Sequence, residues 1–232
     1  MHQFFVESNL ELNQPVQLPA DVVRQIKTVL KLKPMELVWL SNGSKLVEGS
    51  LQSDLTVLPK RSIETPQRSV QVVLYAALIR KERFELMLQK ATELGVDRIV
   101  PLIMERNVVK WEDEPRKLQR YTTILKEAAE QCHRVNIPHL DEPQRLRQVD
   151  FDGTDTLLVA YEELSLTQPL SQVPLDGKTL GIVIGPEGGI SSSEFDYLKS
   201  KGGIPVGLGP RILRAETAAL VALTTLNTRI ES

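Results

Sequence analysis

The chain is nearly devoid of cysteine. Its single thiol among 232 residues rules out an internal disulfide and gives no sign of an oxidising compartment. It also lacks an excess of either charge: 28 Lys and Arg against 30 Asp and Glu leave a net charge of -2. Whole-chain charge therefore does not announce a nucleic-acid partner, although a local basic patch is compatible with it. No window is apolar for long enough to span a bilayer. The opening "MHQFFVESNLELNQPV" has no basic start before an apolar run, so no secretory signal is expected. These absences point to a soluble cytoplasmic protein with no membrane partner. His2, His133 and His139 have no metal-ligand spacing among themselves or with Cys132, so no metal is expected. Neither a G-x-G-x-x-G dinucleotide loop nor a G-x-x-x-x-G-K-S/T phosphate loop occurs. Internal repeats and low-complexity tracts are absent too.

What remains has two textures. Residues 1–68 read as short strands and turns around one helix. Asn42-Gly43, between "ELVWL" and "KLVEGSL", is a strong hairpin signal. In "DVVRQIKTVLKL", Val22, Val23, Ile26, Val29 and Leu30 fall at helical spacing behind Asp21, a possible cap. "IETPQRS" (63–69) is turn-like and marks the expected boundary. From residue 69 onward, apolar runs alternate with amphipathic segments: "VQVVLYAALI", "KERFELMLQKATELG", "VDRIVPLIM", "EPRKLQRYTTILKEAAEQCHR", "TLLVAYE", "TLGIVIG", "SSSEFDYLKSKG", "GIPVGLG", "RAETAALVALTTLNT". This rhythm predicts an α/β domain with a mostly parallel sheet and helices on both faces.

The most informative stretch is "IVIGPEGGISSSEF" (182–195), followed by "VGLGPRILRAETAAL" (206–220). Each is a strand running into a glycine turn and then a helix. In open α/β sheets, ligands bind beyond the carboxyl ends of strands. Gly188 and Gly189 are expected to offer positive φ and close backbone approach, and Ser191, Ser192 or Ser193 to cap the next helix. Glu187 places a negative charge where a pyrophosphate would sit. A ligand without phosphates, held by backbone and apolar walls, suits the pattern better; S-adenosylmethionine is one such ligand. Arg211 could instead hold the two loops together through a salt bridge to Glu187.

Four segments carry a family resemblance: "QKATELGVDRIVPLIMERNV" (89–108), "EAAEQCHRVNIP" (127–138), "IGPEGGISSSEF" (184–195) and "LGPRILRAETAAL" (208–220). Through them nearly the whole chain resembles the ribosomal RNA small subunit methyltransferase E family of the SPOUT superfamily. The resemblance implies a PUA-like barrel over residues 1–68 that binds RNA. It implies a trefoil-knotted parallel-sheet methyltransferase domain over 69–232, with the knot within about 155–232. The implied activity is S-adenosylmethionine-dependent methylation of uridine N3 in small-subunit ribosomal RNA, in an assembled subunit, by a homodimer. A SPOUT enzyme acting on another RNA and a non-catalytic assembly factor are the alternatives.

The implied cofactor shell is Ala160, Ile184, Gly185, Pro186, Glu187, Gly188, Gly189, Leu208, Gly209, Ile212, Leu213 and Thr217. Arg214 is the expected substrate contact, stabilising charge that builds on the uracil, and Glu187 and Glu216 are candidate bases. Arg24, Lys27, Lys31, Lys33, Arg134 and Arg211 are the expected RNA contacts. The chain departs from the family pattern at Lys31, at Met35-Glu36 and at His133, which stands where a glycine is usual.

Overall fold

The computed structural model of the chain describes residues 1–65, 68–111, 115–163 and 168–230. Two residues of the "IETPQRS" turn, 66 and 67, lie outside them. By contact density the chain forms two units: Met1–Gln67 with Lys126–Ile137, and Arg68–Leu125 with Pro138–Ser232.

The first unit is built on β1 (His2–Phe5), β2 (Val16–Gln17), β3 (Leu37–Ser41), β4 (Leu46–Leu51) and β5 (Thr56–Ile63). They form one sheet in the order β1-β3-β4-β5-β2. β1 runs parallel to β3, and the other pairings are antiparallel. The β3–β4 hairpin turns at Asn42-Gly43 as expected: Gly43 takes φ +87°, and Asn42 Oδ1 accepts from the Lys45 N–H at 2.9 Å. Phe4, Val22, Ile26, Leu40, Leu51 and Val57 make the core.

Helix α1 (Ala20–Gln25) departs from expectation in two ways. Asp21 is not its cap: the chain enters at Pro19, and the Asp21 carboxylate turns to Lys126 Nζ at 3.0 Å. The helix also widens into a π turn over Ile26–Leu30, ending at Lys31 with φ +51°. The extra residue in that turn shifts the helical phase. Val29, apolar and at core spacing in the sequence, is 70% exposed as a result.

The segment 126–137 is bound to this unit by main-chain and ring contacts. Gln3 Nε2 donates to the Arg134 carbonyl at 2.6 Å, Ser41 donates to the Val135 carbonyl, and Trp39 packs on the His133 ring at 4.7 Å. His133 terminates α3 (Pro115–Gln131) in the left-handed region, at φ +60°. The Arg134 N–H reaches back to the Ala129 carbonyl at 3.0 Å. This is the C-terminal helix stop that glycine usually fills, held here by a histidine.

The second unit is a parallel sheet of β6 (Gln71–Ala77), β7 (Arg98–Ile103), β8 (His139–Leu140), β9 (Gln144–Arg145), β10 (Thr156–Ala160), β11 (Gln168–Pro169), β12 (Thr179–Ile184) and β13 (Ile204–Gly207). Its order is β11-β13-β10-β12-β6-β7-β8, with β9 also on β7. All of its pairings are parallel. Residues 72–77 are entirely buried, as a strand covered on both faces must be. Helices α2 (Lys81–Glu93), α4 (Ser192–Ser200) and α5 (Ala215–Ile230) complete the unit. α2 buries Phe84, Met87, Leu88 and Ala91 along one stripe. β10 lies between β12 and β13, so the two strands that lead into the glycine stretches flank a third.

Candidate active site

β12 ends at Ile184 and delivers Gly185 into a tight turn. A Cβ on Gly185 would stand 2.7 Å from Ile190 Cγ1, so the turn closes only around glycine. The Gly189 N–H donates to the Pro186 carbonyl at 2.9 Å. Gly189 takes φ +73°, and a Cβ there would lie 2.7 Å from Glu162 Oε1. Gly188 does not take positive φ, contrary to the sequence expectation. Its constraint is steric, because Arg106 Cβ and its carbonyl would lie 3.0 Å from an added Cβ. Behind the turn, Ser191 caps α4. Its hydroxyl accepts from the Glu194 N–H at 3.2 Å while Glu194 Oε2 accepts from the Ser191 N–H at 3.1 Å, a capping box. The other Glu194 oxygen accepts from the Glu105 N–H at 2.8 Å, fixing the loop to the segment after β7. Hydrogen bonds from Ser191 and Ser193 hold the Glu105 carboxyl below the usual range.

β13 delivers the second loop. Gly209 takes φ +119° with open space around it. Arg211 and Arg214 are exposed, and Ile212 is 89% exposed. Arg214 starts α5: its carbonyl accepts from the Ala218 N–H at 2.8 Å.

These two loops and the end of β10 enclose one cleft of about 600 Å³, within the range of small-molecule sites. Of the expected cofactor shell, Ala160, Ile184, Gly185, Pro186, Glu187, Gly188, Gly189, Leu208, Gly209, Ile212 and Leu213 line it. Thr217, in the first turn of α5, does not: its neighbours Ala215 and Ala218 face the cleft and it turns to solvent. Arg211 and Arg214 stand on its rim.

Among the lining residues outside the expected site, Arg83, Tyr161 and Glu162 bring the polar side chains. Tyr161 stacks on Phe195, with centroids 3.9 Å apart and planes 9° from parallel. Burial, then Glu162 and Glu163, push its phenol above its ordinary value. Arg83 faces two carboxylates, Glu187 and Glu216, each at 3.8 Å. The expected Arg211–Glu187 bridge is absent among the described residues; Glu187 is turned to Arg83 and Arg211 stays in solvent. Glu216 is 8% exposed, and its Oε2 has no hydrogen-bond partner.

The remaining expected RNA contacts lie in the first unit. Arg24, Lys27, Lys31 and Lys33 are exposed on and after α1. Arg134 is half-buried, with its guanidinium 3.4 Å from Asn136 Oδ1. Among the described residues no cluster of His, Cys, Asp and Glu could hold a metal, and no helix is long and apolar enough to cross a membrane.

Comparison with known proteins adds the decisive observation. A profile of the RNA methyltransferase domain matches residues 66–227. The chain belongs to the ribosomal RNA small subunit methyltransferase E family. It is 37% identical to that enzyme of Bacillus subtilis over 179 residues, covering 72% of this chain and 70% of the relative. It is 30% identical to that of Mycobacterium bovis, covering 95% and 88%. A solved structure, ribosomal RNA small subunit methyltransferase E of Neisseria gonorrhoeae bound to S-adenosyl methionine, is similar over 99% of this chain and 98% of its own, with TM-score 0.87 and 27% identity. The family's α/β fold with a parallel sheet is the fold of the second unit.

Proposed function

We propose that this chain methylates N3 of a uridine in small-subunit ribosomal RNA, using S-adenosylmethionine held by the two glycine loops. The observation that carries the reading is the composition of the cleft. Its lining combines a glycine cradle, apolar walls at Ala160, Ile184, Leu208 and Leu213, acids at Glu162 and Glu187, and arginines at Arg83, Arg211 and Arg214. Arg83 is occupied by Glu187 and Glu216, so the glycine turns and apolar walls offer backbone and acidic groups to a sulfonium and ammonium ligand, and the two exposed rim arginines are left for RNA. The cofactor supplies an electrophilic methyl group when bound. The protein must hold the uracil in line with it and stabilise the anion left when N3 loses its proton. Arg214, exposed at the rim with no ion pair among the described residues, is placed for the uracil oxygens. Of the two candidate bases, Glu187 lines the cleft and is at hand to accept the proton, whereas Glu216 is buried behind the wall against Arg83.

Residues 1–68 serve in this reading as a PUA-like barrel and 69–232 as the methyltransferase domain. The five-stranded sheet supports the first assignment. A trefoil knot within about 155–232 is supported by β10 lying between the later strands β12 and β13. Ile212, apolar and exposed at the rim, supports a homodimer whose partner covers the cleft edge. The apolar face of α5 contributes less, since Ala219, Leu223 and Leu226 are already buried within the chain. Assembled small subunits place the activity in the cytoplasm. The test is to incubate small ribosomal subunits lacking the modification with labelled S-adenosylmethionine and digest to nucleosides. Labelled 3-methyluridine is the expected product. Label on ribose or another base, or none at all, would overturn the reading, and naked RNA run in parallel shows whether assembly is required.

A further inference from the structure

We propose that Arg83 is a positioning residue that clasps the two glycine loops by sharing one positive charge between Glu187 of the first and Glu216 behind the second. Neither the family's fold nor its cofactor assigns this role, although the inference rests on the cleft being the S-adenosylmethionine site.

The placement follows from packing. α2 is rotated by Phe84, Met87 and Leu88, all buried, and Phe84 also meets the Tyr121 ring at 5.2 Å. This leaves Arg83 on the flank of the helix, with its side chain 33% exposed at the cleft wall. Nη1 faces Glu187 Oε1 and Nε faces Glu216 Oε1, each at 3.8 Å. These are ion pairs without close hydrogen bonds, so the attraction is one of charge and tolerates small loop movements. An exposed pair of this kind would contribute little. Here Glu216 is buried, its side chain 11% exposed and its second oxygen without a partner. Without Arg83 it becomes an uncompensated buried charge. Glu187 would then repel it across the wall that the two loops share. The cheapest relief is for one loop to swing its carboxylate into water, which widens the cleft. Arg83 thus holds the cradle at the width at which both loops reach one ligand.

The test separates charge neutralisation from direct ligand contact. S-adenosylmethionine affinity is measured by calorimetry for wild type, Arg83→Met, Arg83→Lys and Arg83→Met/Glu216→Gln, with circular dichroism on each. Arg83→Met should bind at least tenfold more weakly, and its deficit should shrink as salt is raised, because ions screen the repulsion. Arg83→Lys should stay within a few-fold of wild type. The double variant, which removes the buried charge together with its partner, should regain most of the affinity. Wild-type affinity in folded Arg83→Met would overturn the clasp. So would failure of a folded double variant to recover, which would mean that the guanidinium itself touches the ligand. If Arg83→Met does not fold, the Lys and double variants decide by the same criteria. Absence of binding by wild type would instead sink the proposed function, which keeps the two failures distinct.

Discussion

Glu162 stands beside Gly189: an added Cβ at the glycine would come within 2.7 Å of the Glu162 carboxylate, in a backbone held at φ +73°. The exposed Glu162 carboxylate can swing aside at little cost, so the penalty on any substitution there is the left-handed conformation that L side chains resist. Gly189→Ala should fold but weaken S-adenosylmethionine binding at least tenfold, because the strained backbone draws the loop away from φ +73°. Gly188→Ala, free of the positive φ and crowded only at 3.0 Å by Arg106, should lose less. Calorimetry on both variants checks the ordering. A Gly188 variant more impaired than the Gly189 one would show that the first loop is not read correctly.

Arg68 gathers three distant points of the second unit. It pairs with Asp97, donates to the Gly95 carbonyl at 2.7 Å, and donates to Asn227 Oδ1 at 2.7 Å near the end of α5. Asn227 in turn donates to the Leu94 carbonyl, so the last helix is tied to the turn after α2. Its side chain is 19% exposed, so removal leaves several groups unpaired with little access to water. Arg68→Ala should cost roughly 2–3 kcal/mol, read from urea denaturation. Arg68→Ala and Asn227→Ala should be strongly non-additive, since they break one network. Additive losses would show that the two side chains act separately.

How much of this was legible in the sequence differs residue by residue. The glycine loops were legible because their signals are local: apolar strand, glycine turn, polar cap, helix. The same locality concealed which glycine needs the left-handed backbone, since Gly188 and Gly189 are identical in sequence and only the packing of Glu162 and Arg106 tells them apart. Arg83 was illegible for a different reason. On α2 it reads as one more solvated charge, and its two partners arrive from a loop and a helix far along the chain. Val29 misled because helical periodicity assumes 3.6 residues per turn, and the π turn over Ile26–Leu30 breaks that phase. Asp21 misled because a cap is assigned by residue type, whereas Lys126 competes for its carboxylate only in the folded unit.

His133 should make the stability of the first unit depend on pH. Burial, then repulsion from the N-terminal ammonium, lower its imidazole below the ordinary 6.5. The unfolded chain therefore takes up this proton first as pH falls. Stability is fully present above 6.5 and declines as pH drops below it. His133→Asn keeps a residue that tolerates the left-handed position and removes the titration. Wild type should lose stability relative to the Asn variant as pH is lowered below neutrality. Glu130, whose carboxyl burial raises, is common to both proteins and cancels. Parallel pH profiles would show that His133 does not titrate differently on folding.

The lysines after α1 should meet RNA without specifying a base. Lys27, Lys31 and Lys33 are exposed, and the left-handed Lys31 turns the chain so that the run leaves the helix axis. Replacing all three with Ala should weaken RNA binding and lower the slope of log affinity against log salt by about two, if each neutralises one phosphate. Cofactor affinity should not change. An unaltered salt slope in the RNA titration would remove this face from the interface.

Arg214 separates cofactor binding from chemistry. It is exposed at the cleft rim, one residue before α5, and its backbone carbonyl is engaged by the helix while its guanidinium is not. Its charge is needed most as the uracil gains negative charge, so the loss should fall on the transition state and not on the bound ground state. Arg214→Ala should keep S-adenosylmethionine affinity within a few-fold and lower single-turnover methylation by roughly a hundredfold, the range for removal of one stabilising donor. Arg214→Lys should recover only part of the rate, because a point charge does not reproduce a planar fork. Single-turnover rates at saturating RNA decide the matter. A near-normal rate in the Ala variant would eliminate Arg214 from catalysis. Loss of rate together with loss of cofactor affinity would place it in the cofactor shell, and Glu187 and Glu216, both paired with Arg83, would be the next groups to test for a part in the chemistry.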